Sequence, residues 1–103
     1  MKRNHEALFY IYHKQNPQVY KAFSRLASEL LDMGAKRFGA KAIMEKIRWE
    51  TSIRAIQEPG FPVIKINNNY AAYYARTLTM SDPAKWRGFF EFRDVALALK
   101  EPS

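Results

Sequence analysis

The pattern of apolar and polar positions predicts a long helix in the first third of the chain. Between Asn16 and Gly34, apolar residues recur at intervals of three and four, the spacing of one helix face. Asn16 and Pro17 favour a helix start, and Gly34 favours an end at about Met33. The predicted core face consists of Val19, Tyr20, Phe23, Leu26, Ala27, Leu30 and Leu31.

A second helix is predicted from about Ala40 to Thr51, with Ile43 and Ile47 facing inward. Met44 belongs to the same inward side. Trp49 lies near the end of this helix, where a tryptophan is more often a core anchor than a stacking platform. The residues from Ser52 to Pro62 contain Glu58-Pro59-Gly60 and are predicted to form a loop.

The stretch from Ile64 to Arg76 joins an apolar run, three asparagines and a helix-compatible segment. Because asparagine is a good N-cap, a third helix is predicted from about Asn68 to Met80. Its predicted buried stripe consists of Ala71, Tyr74, Ala75 and Leu78. The other side carries Asn69, Tyr70, Tyr73, Arg76 and Thr77. Amide, hydroxyl and guanidinium groups can bind base edges and phosphates. We therefore interpret this helix as a nucleic-acid recognition helix whose asparagine and tyrosine side faces solvent. The alternative is that the tyrosines are packed in the core and the asparagines only cap.

Two short strands complete the predicted fold. Phe61–Ile66 and Gly88–Arg93 have strand composition, and Lys85–Gly88 would form the turn of a basic wing. We therefore predict a mainly α fold with a small β-hairpin (α+β), a winged helix-turn-helix-like single domain over residues 1–103 with its core at 16–93. The gap from Ser52 to Ile66 is longer than the turn of a tight helix-turn-helix. Residues 1–15 favour a helix packed on the domain, with an edge strand or a dimer contact left open.

Composition adds a strong positive charge. The chain has 17 Lys and Arg against 10 Asp and Glu, a formal charge of +7 and a pI near 9.8, which favours a polyanionic partner.

There is no cysteine, which excludes disulfides, cysteine-bearing zinc sites and thiol nucleophiles. His5 and His13 have no clustered carboxylates beside them, so neither a metal nor another cofactor is predicted. No catalytic motif is present, and we expect no enzyme. The apolar run Ala7–Tyr12 is too short to span a bilayer, which favours a cytoplasmic protein without membrane contact.

The candidate nucleic-acid-binding residues combine the third helix with the basic segments around it. They are Lys36, Arg37, Lys41, Arg48, Lys65, Asn67, Asn68, Asn69, Tyr70, Tyr73, Arg76, Lys85 and Arg87. Duplex DNA is the predicted partner. One alternative is a small protein that binds a host protein, with Tyr70, Tyr73 and Trp86 as anchors. Another is single-strand or RNA binding by aromatic stacking. Oligomeric state is left open, a homodimer included.

Four segments together carry a resemblance to known sequences. They are Lys46–Glu50 (KIRWE), Lys65–Tyr70 (KINNNY), Tyr74–Arg76 (YAR) and Phe89–Arg93 (FFEFR). The combination resembles small uncharacterised proteins of phages, prophages and bacterial genomes, over roughly residues 16–93. The resemblance implies a phage or mobile-element context, in which small basic proteins regulate transcription or replication or block a host protein. It implies no specific activity.

Overall fold

The computed structural model describes residues 4–61 and 65–90. Its helices are α1 (Asn4–Gln15), α2 (Pro17–Asp32), α3 (Ala40–Gln57), α4 (Ala71–Ser81) and the short α5 (Pro83–Trp86), with a 3-10 turn over Asn68–Tyr70 that leads into α4. The described residues contain no β-strand, and they form a small all-helical domain. The predicted α+β class, with a hairpin and a winged helix-turn-helix-like arrangement, is therefore wrong.

Helix α2 confirms the strongest sequence signal. Val19, Phe23 and Ala27 are buried on its predicted face, and Gly34 follows it with φ +100, a conformation that glycine adopts without strain. Asn16 occupies the N-cap position of α2 as predicted, but its side chain makes no capping hydrogen bond there. Its side-chain amide donates to the carbonyl of Tyr12 at 3.1 Å and so closes the end of α1.

Helix α3 begins at Ala40 as predicted but ends at Gln57, six residues beyond the predicted end. Its inward residues Ile43, Met44 and Ile47 are buried. The helix continues past Thr51 because no proline or glycine interrupts it until Pro59. The predicted loop from Ser52 is thus helical over its first half.

Helix α4 is in the predicted place and has the predicted buried stripe. Ala71, Tyr74, Ala75 and Leu78 are each at most 3% exposed. The stripe packs against α2 and α3, and the Tyr74 ring stacks on Phe23 with 5.7 Å between ring centroids.

The segment predicted to be the wing forms α5 and a turn instead. Pro83 lies in the first turn of α5, and the Asp82 carboxylate accepts the backbone N–H of Lys85 at 3.3 Å. Phe89 and Phe90 are then buried side by side, at 1% and 6% exposure. Neighbouring strand residues point to opposite faces, so this burial is incompatible with a half-exposed hairpin strand.

The first predicted strand, Phe61–Ile66, also has no counterpart. Phe61, Lys65 and Ile66 lie in no strand, and Ile66 contributes to the core as a single buried side chain. Residues 62–64 and 91–93, which complete the two predicted strands, lie outside the described residues.

Candidate nucleic-acid interface

Asn67 performs the capping role predicted for an asparagine at this position. Its side-chain oxygen accepts the backbone N–H of Asn69 at 2.9 Å, and the 3-10 turn begins directly after it. This bond satisfies a first-turn N–H that has no partner within the helix. The Asn67 amide is thus engaged at the helix start, while Asn69 keeps an exposed side chain.

Asn68 and Arg48 are engaged with each other and with Glu45. Asn68 donates to the Glu45 carboxylate and accepts from the Arg48 guanidinium at 3.4 Å. Arg48 also donates to the Ile66 carbonyl at 3.1 Å. These contacts join the start of α4 to the middle of α3. Two predicted nucleic-acid-binding side chains therefore serve the fold in this structure.

Tyr70 and Tyr73 lie beneath α1 and do not form an open reading face. Phe9 stacks on Tyr73 at 4.9 Å between centroids and meets Tyr70 edge-on at 5.5 Å. Tyr12 contacts Tyr70 at 5.1 Å and donates its hydroxyl to the Lys65 carbonyl at 2.6 Å. We name Phe9, Tyr12, Tyr70, Tyr73 and Tyr74 the aromatic cluster. The expectation that the tyrosine side of the third helix faces solvent is wrong for Tyr70 and Tyr73, because both rings are half-buried against Phe9 of α1.

Burial raises the pKa of two tyrosines in the cluster, Tyr74 and Tyr12. Tyr74 is fully buried, and its pKa is raised above the ordinary 10.0, first by burial and then by the neighbouring Tyr12 and Tyr70 phenols. The pKa of Tyr12 is raised by burial and by Tyr70. The Tyr74 hydroxyl has no hydrogen-bond partner among the described residues. Tyr12 and Tyr74 therefore keep their protons to a higher pH than an exposed tyrosine does.

The fold joins two basic segments that are far apart in sequence. The backbone N–H of Phe38 donates to the carbonyl of Phe89 at 3.0 Å. With 3.8 Å between consecutive Cα atoms, the Cα atoms of Arg37 and Arg87 lie at most roughly 20 Å apart. We name the exposed side chains around this bond the basic edge, which consists of Lys36, Arg37, Lys41, Lys85 and Arg87.

The charges of the basic edge take no part in the ion pairs formed among the described residues. The ion pairs within residues 4–61 and 65–90 use Arg25, Arg48 and Arg54 and none of these five bases. The Lys85 ammonium lies 4.9 Å from the centre of the buried Trp86 ring, and the Lys85 backbone N–H donates to the Asp82 carboxylate. A group of exposed cations that outnumber the acids beside them attracts a polyanion, which replaces the condensed counterions.

The remaining predicted residues lie on the α4 side. Lys65 is exposed, and its carbonyl holds Tyr12. Arg76 is half-buried, with its guanidinium 5.5 Å from the centre of the Tyr73 ring. The structure thus divides the predicted site. The bond between Phe38 and Phe89 brings the segments of Arg37 and Arg87 close together. The other predicted residues that make contacts within the domain are Arg48, Asn67, Asn68, Tyr70 and Tyr73.

Trp49 is exposed, whereas the sequence predicts that it is buried as a core anchor. It is 59% exposed on the outer side of α3, and the ammonium of Lys46 lies 4.9 Å from its ring centre. The prediction of a core anchor is wrong. The helical period contained the signal, because Trp49 lies roughly opposite Ile43 and Ile47 on a wheel of 3.6 residues per turn. Trp86, predicted as an exposed anchor, is 2% exposed.

Comparison with protein families, with curated proteins and with solved structures finds no match to this chain. The resemblance to phage and prophage proteins stays a prediction. Within the described part of the chain, no group of three His, Asp or Glu side chains is placed to hold a metal ion. No helix there has the length and apolar character to cross a membrane.

Proposed function

We propose that this protein binds nucleic acid, duplex DNA in particular, by placing the basic edge on the phosphate backbone. The observation that carries the proposal is the Phe38–Phe89 hydrogen bond, which joins two exposed basic segments. Five bases that each meet a phosphate correspond to a slope of log affinity against log salt of roughly −4 to −5. Sequence-independent binding of this kind has a Kd of about 10⁻⁴ to 10⁻⁶ M.

A backbone contact fits this surface better than base reading. A reader helix must present polar side chains to the major groove, and the Tyr70 and Tyr73 rings are half-buried against Phe9 of α1. Single-strand binding draws on exposed aromatic rings for base stacking. Trp86 and Phe89 lie within the basic segment but are at most 2% exposed. Phe38, between Arg37 and Lys41, is 36% exposed, and a single accessible ring offers a single strand little to stack on. These cations therefore favour the regular phosphate rows of a duplex.

The direct test is fluorescence anisotropy with labelled 20-base-pair duplexes of two unrelated sequences and a 20-nucleotide single strand. We expect similar affinities for the two duplexes at low salt, weaker binding of the single strand, and a steep loss of affinity as salt rises. Absence of binding to either duplex at low salt contradicts the proposal. Tighter binding of the single strand supports the stacking alternative instead.

A second candidate function is binding to a host protein, and the outer side of α3 favours it. Trp49 is 59% exposed and Ile56 is 77% exposed, and they lie seven residues apart on the same side. Exposed tryptophan is a frequent anchor of protein interfaces. Capture of a partner that survives nuclease treatment and is lost in Trp49→Ala supports this function. A partner lost on nuclease treatment refutes it.

The biological setting forms part of the proposal. The resemblance noted from the sequence implies a phage or mobile element, where backbone binding suits a role in regulation or replication. A cytoplasmic location agrees with a chain that has no cysteine and so no disulfide to form.

A further inference from the structure

Helix α1 has apolar residues on two sides, and the domain packs against one of them. Phe9 and Tyr12 face the aromatic cluster, and Phe9 is 1% exposed. Ala7 and Ile11 lie roughly opposite Phe9 on the helical wheel, and Leu8 borders them. Leu8 is 52% exposed and Ile11 is 53% exposed. We name Ala7, Leu8 and Ile11 the outer patch, which is apolar where a surface helix usually has polar residues.

A row of three exposed side chains borders the outer patch and has opposite charges at its two ends. Glu6, Tyr10 and Lys14 follow one another at i, i+4 and i+8. With a rise of 1.5 Å per residue, Glu6 and Lys14 are about 12 Å apart along the helix, with Tyr10 midway between them. They are too far apart to pair with each other, and the ion pairs within residues 4–61 and 65–90 use neither.

This row is complementary to a reversed copy of itself. In an antiparallel pair of α1 helices with a twofold axis at Tyr10, Glu6 of each copy is level with Lys14 of the other, and the outer patches face each other. A single surface thus supplies the apolar contact and both charges. We propose that the protein forms a twofold-symmetric homodimer in which α1 of one copy packs antiparallel on α1 of the second. The proposal does not depend on nucleic-acid binding, because none of the basic-edge residues lies on α1.

The size of this contact predicts a weak dimer. Helix α1 has 12 residues, and one pair of such helices buries less than the roughly 1,200 Å² of a stable interface. The formal charge of +7 on each chain opposes association. At 0.15 M salt the Debye length is about 8 Å, so this repulsion is screened more strongly than contact between Glu6 and Lys14. We therefore expect a dimer Kd on the order of 10–100 μM.

Sedimentation velocity of the full-length chain at 0.15 M salt, from about 5 to 500 μM, measures this Kd. Ile11→Asp and Leu8→Asp each place a charge in the outer patch and should raise the dimer Kd at least about tenfold. Ile56→Asp is the matched control, because Ile56 is 77% exposed but lies on α3, and it should leave the Kd unchanged. Circular dichroism verifies that each variant is folded, and two patch variants keep the test informative if one is not.

Charge reversal tests the antiparallel arrangement. Glu6→Lys and Lys14→Glu each bring like charges level with each other in both symmetric pairs, so each should raise the dimer Kd roughly tenfold. The double variant Glu6→Lys/Lys14→Glu exchanges the charges and should restore the Kd to within about twofold of the wild type. Lys21→Glu makes the same charge change as Lys14→Glu on the exposed side of α2 and should not raise the Kd.

Three results overturn the proposal. The first is a wild-type chain that stays monomeric up to about 500 μM. The second is a dimer that Ile56→Asp weakens and the two patch variants do not, which assigns the interface to α3. The third is a double charge reversal that binds as weakly as the single reversals, which excludes the antiparallel pairing of Glu6 with Lys14.

Discussion

The Tyr74→Phe substitution tests how the aromatic cluster is held together. Tyr74 is fully buried between α1, α2 and α4, and its hydroxyl has no hydrogen-bond partner among the described residues. A buried hydroxyl without a partner costs about 1–3 kcal/mol of desolvation, and removal of the oxygen leaves the stacked ring in place. We expect Tyr74→Phe to raise the free energy of unfolding by about 1 kcal/mol at pH 7, which raises Tm by about 4–8 °C.

The same variant changes the response to alkaline pH. The pKa of Tyr74 lies above 10.0 in the folded protein. Below pH 10 the phenol is therefore neutral in both the folded and the unfolded chain, and its ionisation takes nothing from the free energy of unfolding. Above pH 10 the unfolded chain loses this proton and the folded chain keeps it. The wild type therefore loses up to about 1.4 kcal/mol of stability per pH unit from Tyr74. The advantage of Tyr74→Phe should grow to roughly 2–3 kcal/mol at pH 11.

Urea unfolding followed by circular dichroism at pH 7 and pH 11 measures both effects. Tyr10→Phe is the control, since Tyr10 is 56% exposed on the outer side of α1 and its change should stay within about 0.5 kcal/mol. A loss of stability of about 1 kcal/mol or more in Tyr74→Phe at pH 7 refutes the reasoning, because it means that the hydroxyl makes a hydrogen bond.

Three further substitutions test other parts of the account. Phe9→Ala removes a side chain that is 1% exposed at the centre of the aromatic cluster. Urea unfolding should show that the free energy of unfolding falls by about 3–5 kcal/mol. A decrease below about 1 kcal/mol contradicts the packing of α1 on the domain. Asn68→Ala removes the hydrogen bonds to Glu45 and Arg48 and should lower the free energy of unfolding by about 1 kcal/mol. Anisotropy should show that duplex affinity is unchanged within about twofold. A larger drop in affinity would support the reader-helix hypothesis instead. Asp82→Ala removes the cap of α5 and should lower Tm by a few degrees, an effect absent in the exposed-site control Lys21→Ala.

Elements with a strong helical period could be predicted from the sequence. Phe23 and Ala27 of α2, and Ala71 and Tyr74 of α4, follow the repeat of one buried face, and the structure buries them as predicted. Asn67 was also identifiable as a cap, because few residues can satisfy the free N–H groups of a helix start. These features depend on local spacing alone.

Features set by tertiary contacts could not be predicted in this way. The composition of Phe89 and Phe90 favours a strand, but Gly88 turns the chain at φ +71 and both rings enter the core beside Trp86. Tyr70 and Tyr73 look like a polar reading face until α1 is placed over them. No local pattern says which surface the first helix covers.

The candidate site, too, could be predicted from the sequence only in part. Sequence alone selects the bases at 36–41 and at 85–87 as an excess of charge, but nothing in the pattern makes them neighbours. Their proximity depends on one long-range backbone bond, from Phe38 to Phe89. A basic surface assembled from two distant segments is therefore visible only in the folded chain.

The measurement that tests the central claim most directly is the salt dependence of duplex binding in two charge-matched double variants. Arg37→Ala/Arg87→Ala removes one base from each segment of the basic edge, and Lys14→Ala/Lys21→Ala removes two exposed bases from α1 and α2. The account predicts that the first pair reduces the slope of log affinity against log salt by about 2 and that the second changes it by less than about 0.5. Equal slopes for the two double variants would contradict the basic edge as the nucleic-acid interface.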